Sequence, residues 1–147
     1  MAKKIFIDVV TCALIILFIY TGLTKAMERT TFLMQIAKSP FITNYAMPIS
    51  WIIPYGEILT ALLLSYPGTR KFGFYLSFTL MILFTEYIAG MMLYSDYLPC
   101  SCGGVISKMS WNTHLVFNAT ITFLTVIAIA IESGLKLKRL IRQVKST

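Results

Sequence analysis

The stretch Ile5–Leu23, IFIDVVTCALIILFIYTGL, decides the fold class of this protein. It carries one charged side chain, Asp8, and as a helix rising about 1.5 Å per residue it is long enough to cross the roughly 30 Å hydrocarbon core of a bilayer. Its apolar residues are continuous and do not alternate with polar ones, which favours a helix over a barrel strand. The run is long for a signal peptide and no small-x-small cleavage site follows, so we predict an uncleaved first span.

Three further segments, 49–66, 72–94 and 115–131, are also apolar and long enough to cross a membrane. With 57% hydrophobic and 13% charged residues, the chain has about half the charge of a soluble domain and is too apolar to be disordered. The sequence therefore predicts an all-α fold, a single membrane domain over 1–147 built as an integral four-helix bundle. The net charge of +7 does not indicate nucleic-acid binding, because most basic residues flank the apolar segments.

The basic residues predict the orientation of the bundle. Four spans divide the Lys and Arg side chains into a group on the side of the N-terminus and a group on the opposite side. The first group has nine members: Lys3, Lys4, Arg70, Lys71, Lys136, Lys138, Arg139, Arg142 and Lys145. The second group has four: Lys25, Arg29, Lys38 and Lys108. The positive-inside rule then places both termini in the cytoplasm, an N-in/C-in topology.

Two segments outside the spans have amphipathic helical patterns. In the loop 24–48, Phe32, Leu33 and Ile36 share a helical face, which predicts a short interfacial helix on the outer membrane surface. In the cytoplasmic tail 134–147, apolar residues share a face opposite Lys and Arg; they are Leu137, Leu140, Ile141 and Val144. This tail would lie on the anionic inner leaflet or serve only as a topology signal.

Cys100 and Cys102 are the strongest chemical signal in the sequence. Only Ser101 separates them, in a loop on the predicted outer side, where disulfides form and persist in bacteria. A disulfide between residues two apart needs a bent backbone, which the glycines after Cys102 favour. Such a bond would be strained, and strained, exposed disulfides are the labile and oxidising ones. The pair therefore favours thiol–disulfide exchange.

Two other interpretations of this loop stay open. The pair could form a disulfide that only shapes the loop. Alternatively, Cys100, Cys102, Met109 and His114 could bind Cu(I), because thiolate, thioether and imidazole are soft ligands, and the protein would then handle copper in the periplasm.

Glu57 and Glu86 are acidic residues inside predicted spans. Counted from Trp51 and Tyr94, they lie about 9 and 12 Å deep, so we expect both carboxyls at one level of the bundle interior. They would hold a proton for a redox step or bond to hydroxyl groups and fix helix packing. A cation such as Lys25 is a further candidate partner.

Two further residues, His114 and Cys12, give weaker evidence about function. His114 follows the cysteine loop and enters the fourth span, where it could lower the pKa of a thiol, carry a proton, or simply bond to a loop carbonyl. Cys12 lies among apolar neighbours in the first span and is predicted to be an inert core residue.

Several short motifs resemble one family of membrane proteins. Tyr20–Lys25 is similar to the Gly-Leu-x-Lys exit of the first helix in DoxX-like proteins, and Gly56–Leu59 is similar to the Gly-Glu-aliphatic start of their second helix. Pro99–Val105, followed by Met109–Trp111 and His114-Leu115, resembles the methylamine-utilisation MauE branch in particular. The resemblance covers nearly the whole chain.

The resemblance implies a multi-pass protein of the bacterial inner membrane. MauE proteins are associated with maturing a disulfide-rich enzyme subunit alongside a thioredoxin-like partner, and DoxX-like relatives include subunits of quinone-linked oxidoreductases. It therefore implies a periplasmic thioredoxin-like protein or other membrane subunits as partners, and a quinone as a possible electron acceptor. It also places Glu57 and the cysteine pair among the functional residues. A thiol–disulfide relay is the expected function, and a non-catalytic membrane subunit or assembly factor is the alternative.

Overall fold

The computed structural model describes residues 1–39, 41–94 and 110–145, with side chains as far as Gly134, and helices joined by short turns make up nearly all of these residues. The helices in chain order are α1 (Ala2–Met27), α2 (Arg29–Ala37), a short 3₁₀ helix (Thr43–Tyr45), α3 (Ala46–Ser65), α4 (Arg70–Tyr94) and α5 (Trp111–Lys145). Within those ranges there is no strand, and the all-α prediction is confirmed.

Four of these segments are long and apolar enough to cross a membrane. They are Ala2–Met27, Thr43–Ser65, Arg70–Tyr94 and Trp111–Gly134. Each coincides with a predicted span to within about two helical turns, so the protein is a multi-pass membrane protein with four spans. α2 is the short helix expected in the first outer loop, and its place at the membrane surface stays a prediction.

The four long helices pack as a closed ring. α1 packs mainly on α3, α3 on α4, α4 on α5, and α5 on α1, while α2 lies against α3. Consecutive long helices run in opposite directions, as in an up-down-up-down bundle. The core contains mainly aliphatic and aromatic side chains, including Leu14, Phe18, Leu64, Phe74 and Met81.

An ion pair joins two helix beginnings at one end of the bundle. Arg70 Nη1 at the start of α4 donates to Asp8 Oδ1 in the first turns of α1 at 3.1 Å. The N-terminus and the turn before α4 therefore lie at the same end, as four alternating spans require. Both side chains are partly exposed, so this pair contributes little to stability, about 0–1 kcal/mol.

The N-in/C-in orientation can be tested directly. A reporter enzyme that is active only outside the cytoplasm should work when fused after Lys108, because that loop is predicted to be outside. The same reporter should be inactive after Arg70 and after Thr147. Activity at Arg70 would mean that the orientation is reversed.

α5 continues without a break from Trp111 to Lys145, about 52 Å at 1.5 Å per residue, so the tail continues the fourth helix. The position of this tail on the inner leaflet stays a prediction. The expectation that Cys12 is a core residue is wrong, since Cys12 is exposed on the outer face of α1. α1 is apolar on nearly all sides, and its sequence therefore does not say which side faces the core.

Candidate functional site

A buried ion pair between α1 and α3 is the centre of the candidate site. Lys25 Nζ lies 2.5 Å from Glu57 Oε1, and the two residues are only 6% and 1% exposed. Thr21 Oγ1 donates a second hydrogen bond to the same Oε1 at 3.0 Å. Charges inside a membrane protein are costly unless they are paired, and they usually belong to functional sites.

The register of α1 brings Thr21 and Lys25 to this position. The buried residues of α1 recur every three or four positions, so Thr21 and Lys25 continue the core-facing stripe of Leu14 and Phe18. α1 runs on to Met27, and this places Lys25 within the helix. The Lys25 ammonium also lies 4.8 Å from the centroid of the Phe84 ring, a favourable cation–π distance.

Gly22 lets the two helices approach closely beside the ion pair. A Cβ atom at this position would lie 3.0 Å from the Pro54 carbonyl oxygen, 3.0 Å from Ile58 Cγ1 and 3.1 Å from Glu57 Cβ. These distances leave no room for a side chain without movement of α3. Small residues at such contacts are typical of helix pairs in membranes.

The second carboxylate oxygen of Glu57 is buried without a hydrogen-bond partner. Among the residues that the structure describes, no donor bonds to Oε2. A buried acceptor left in this way costs about 1–3 kcal/mol, and such atoms are rare in native proteins. The arrangement therefore offers an acceptor position to a bound molecule.

A largely apolar cavity adjoins the ion pair. Its volume is about 360 Å³, within the roughly 300–1,000 Å³ range of small-molecule sites. Its walls come from α1, α2, α3, α4 and α5 and are mainly aliphatic and aromatic. A few polar side chains converge on it: Thr21, Lys25, Gln35, Glu57, Tyr87, His114 and Asn118. Apolar walls with a few convergent polar groups are typical of ligand sites.

The first turns of α5 complete this cavity. Ser110 caps the helix, because its Oγ accepts a hydrogen bond from the Thr113 backbone N–H at 3.3 Å. The cap fixes where the helix begins, so Trp111, His114 and Asn118 follow on the wall of the cavity. Trp111, which enters the sequence-based prediction only within the Met109–Trp111 motif, is thus a cavity residue.

Residues 3–131 match the protein family described as methylamine utilisation protein MauE. This match covers most of the 147 residues, including nearly all of α1, all of α2 to α4 and most of the membrane-spanning part of α5. The chain belongs to the MauE family. No curated protein and no solved structure was found that matches this chain.

The two acidic residues singled out in this MauE-family protein lie in different environments. Glu57 is buried at the ion pair, whereas Glu86 is exposed on α4 and does not line the cavity. The expectation that both carboxyls share the bundle interior is therefore wrong for Glu86. For Glu57, the contacts agree with two of the expected partners, a threonine hydroxyl and Lys25.

The structure does not describe the predicted cysteine site. Cys100 and Cys102 lie outside the described residues, and so does Met109. Their redox chemistry and the copper alternative therefore stay predictions. Among described residues there is no group of three or more His, Cys, Asp or Glu side chains that could hold a metal ion.

Sequence reasoning missed most of the polar groups around the cavity. The sequence patterns do not indicate Thr21, Gln35, Tyr87 or Asn118, and they place Lys25 at the predicted end of the first span. The spacing of residues in α1 does indicate the ion pair. Leu14, Phe18, Thr21 and Lys25 share one helical face, so a cation at the end of this face predicts a buried anion on a neighbouring helix.

Proposed function

We propose that this MauE-family protein is a thiol–disulfide relay component of the bacterial inner membrane that helps to mature a partner protein. Family membership supports the proposal most strongly, since the family is named for methylamine utilisation and its match includes the Cys100-Ser101-Cys102 segment. The pair lies between α4 and α5, whose ends at Tyr94 and Trp111 border this connection.

The proposed exchange follows ordinary disulfide chemistry. A thiolate of a periplasmic thioredoxin-like partner attacks one sulfur of the Cys100–Cys102 disulfide and forms a mixed disulfide. The second thiol of the partner then resolves this bond, so the partner becomes a disulfide and Cys100 and Cys102 become a dithiol. A quinone that takes up two electrons and two protons would restore the disulfide.

The experiment uses cysteine variants in a Cys12→Ser background, which removes the exposed thiol of α1. With Cys100→Ser or Cys102→Ser, the remaining thiolate should attack the disulfide of added oxidised partner, release one partner thiol and form a mixed disulfide visible on a non-reducing gel. With both replaced, the thioredoxin-like partner should accumulate in its reduced form. The Cys12→Ser protein alone should leave the partner's redox state unchanged.

The alternative function, a membrane subunit with a structural cysteine loop, predicts a different result. A ring this small removes little entropy from the unfolded chain, so the double variant should still fold if the pair is only redox-active. If the double variant folds and the partner is oxidised normally, the relay proposal is wrong. If it does not fold, the pair is a structural clip.

A further inference from the structure

We propose that the cavity beside Lys25 and Glu57 binds a neutral aromatic compound whose phenolic hydroxyl donates a hydrogen bond to Glu57 Oε2. The proposal rests on the cavity and not on the cysteine pair, and it would stand if that pair were only structural. The unpartnered oxygen defines the hydrogen-bonding group of the ligand, because only a donor satisfies it.

The charge balance of the site defines the charge of the ligand. Lys25 already neutralises Glu57 at 2.5 Å, so the pair brings no net charge to the cavity. A cationic or anionic ligand would add an uncompensated charge among apolar walls, at a cost of several kcal/mol. A neutral donor satisfies Oε2 without that cost.

The side chains that line the cavity indicate the shape of the ligand. Phe32, Phe84, Trp111 and Phe117 surround the cavity together with aliphatic side chains. Aromatic rings prefer offset-stacked or edge-to-face partners, so a flat ring fits this lining better than a flexible chain. Leu83 borders the cavity and is 52% exposed, so the cavity reaches the outer surface of the bundle, where lipid-soluble compounds would enter.

Two natural sources supply this chemistry: a quinol dissolved in the membrane, or another lipid-soluble phenol. Both offer an aromatic ring with a hydroxyl donor. A quinone of the same shape has carbonyl acceptors in place of the hydroxyls and cannot donate to Oε2. A site of this kind therefore prefers the quinol to the quinone.

Trp111 provides the measurement, because it is one of two tryptophans and lines the cavity. The full-length Trp51→Phe protein in nanodiscs is titrated with 4-bromophenol and with its methyl ether, both of which quench tryptophan by heavy-atom contact. The phenol should bind about ten-fold or more tightly, since a hydrogen bond to a charged group contributes about 1.5–3 kcal/mol. A decyl-substituted benzoquinol should displace it if the source is a membrane quinol. If only simple phenols displace 4-bromophenol, the natural ligand is another lipid-soluble phenol.

Glu57→Gln gives the sharper test. The amide oxygen should stay with Lys25, which turns the amide NH₂ towards the ligand. The phenol and the methyl ether can both accept from this NH₂, so the preference for the phenol should be lost. Equal quenching of the wild-type site by both probes overturns the proposal, whether or not the variant folds. Cavity occupation by water or lipid chains alone would give that result. The relay proposal is tested separately. Normal binding of 4-bromophenol by the Cys100→Ser, Cys102→Ser protein would show that the cavity site does not depend on the cysteine pair. Loss of binding in a protein that keeps the pair would concern the cavity alone.

Discussion

Removing one charge of the Lys25–Glu57 pair should lower the free energy of unfolding by about 3–5 kcal/mol, the typical cost of leaving a buried charge without its partner. Lys25→Met and Glu57→Met are suitable single variants, because Met fills a similar volume without a charge. Both side chains are at least 94% buried, so neither charge can turn to solvent in the folded protein. Equilibrium unfolding in mixed micelles, followed by circular dichroism, measures the change.

The double variant Lys25→Met with Glu57→Met should recover most of the loss. A buried ion pair replaced as a unit by apolar side chains is often neutral or stabilising, because the desolvation cost disappears with the charges. The matched control is Asp8→Asn, which breaks the partly exposed pair with Arg70 and should cost about 0–1 kcal/mol. Single variants at Lys25 or Glu57 that cost no more than this control would show that the buried residues are not paired.

The stability of the double variant separates packing from function. A double variant that is as stable as the natural protein but no longer discriminates 4-bromophenol from its ether has lost only the ligand site. The pair would then be retained for binding and not for stability.

The four spans were predictable because bilayer thickness sets a minimum length for an apolar segment. Ile5–Leu23 has about that length, and the structure extends it to Ala2–Met27. Those added residues matter, because they bring Lys25 inside the helix. From sequence alone, Lys25 counts among the outer-loop charges and is only one candidate partner of Glu57; its place within α1 explains why the two residues meet.

The rotation of each helix was not predictable from composition. α4 has apolar residues on all sides, so nothing in its sequence distinguishes a core-facing Glu86 from the exposed Glu86 that the structure shows. The same reason explains the wrong expectation for Cys12 in α1. Glu57 differs because the close approach at Gly22 fixes the face that α3 turns to α1.

The cavity depends on five helices and could not be derived from any one motif. His114 was singled out for its position after the cysteine loop, but its neighbours Lys25 and Glu57 are distant in sequence and meet it only through the ring of helices. The role of Cys100 and Cys102 stays a prediction from residue chemistry and family membership.

Gly22→Ala should destabilise the protein, although alanine is the better helix former by about 0.8–1.0 kcal/mol. Its new Cβ would lie 3.0 Å from the Pro54 carbonyl oxygen, which belongs to the backbone and cannot rotate away. α1 and α3 must therefore separate, and overpacking of this kind typically costs about 1–3 kcal/mol. Gly22→Val adds two more carbons at the same contact and should cost more than Gly22→Ala.

The control is Gly56→Ala on α3, one residue before Glu57. A Cβ there meets no atom within 4 Å, so only the helix propensity changes, and the variant should be equal to the natural protein or more stable. Since Gly22 lies one turn before Lys25, separation of the helices should also lengthen the Lys25–Glu57 contact. Gly22→Ala should therefore weaken binding of 4-bromophenol, whereas Gly56→Ala should leave it unchanged. If Gly22→Ala and Gly56→Ala stabilised the protein equally, α1 and α3 would not be in contact at Gly22. The Gly-Leu-x-Lys motif at the end of the first span would then need a different physical explanation.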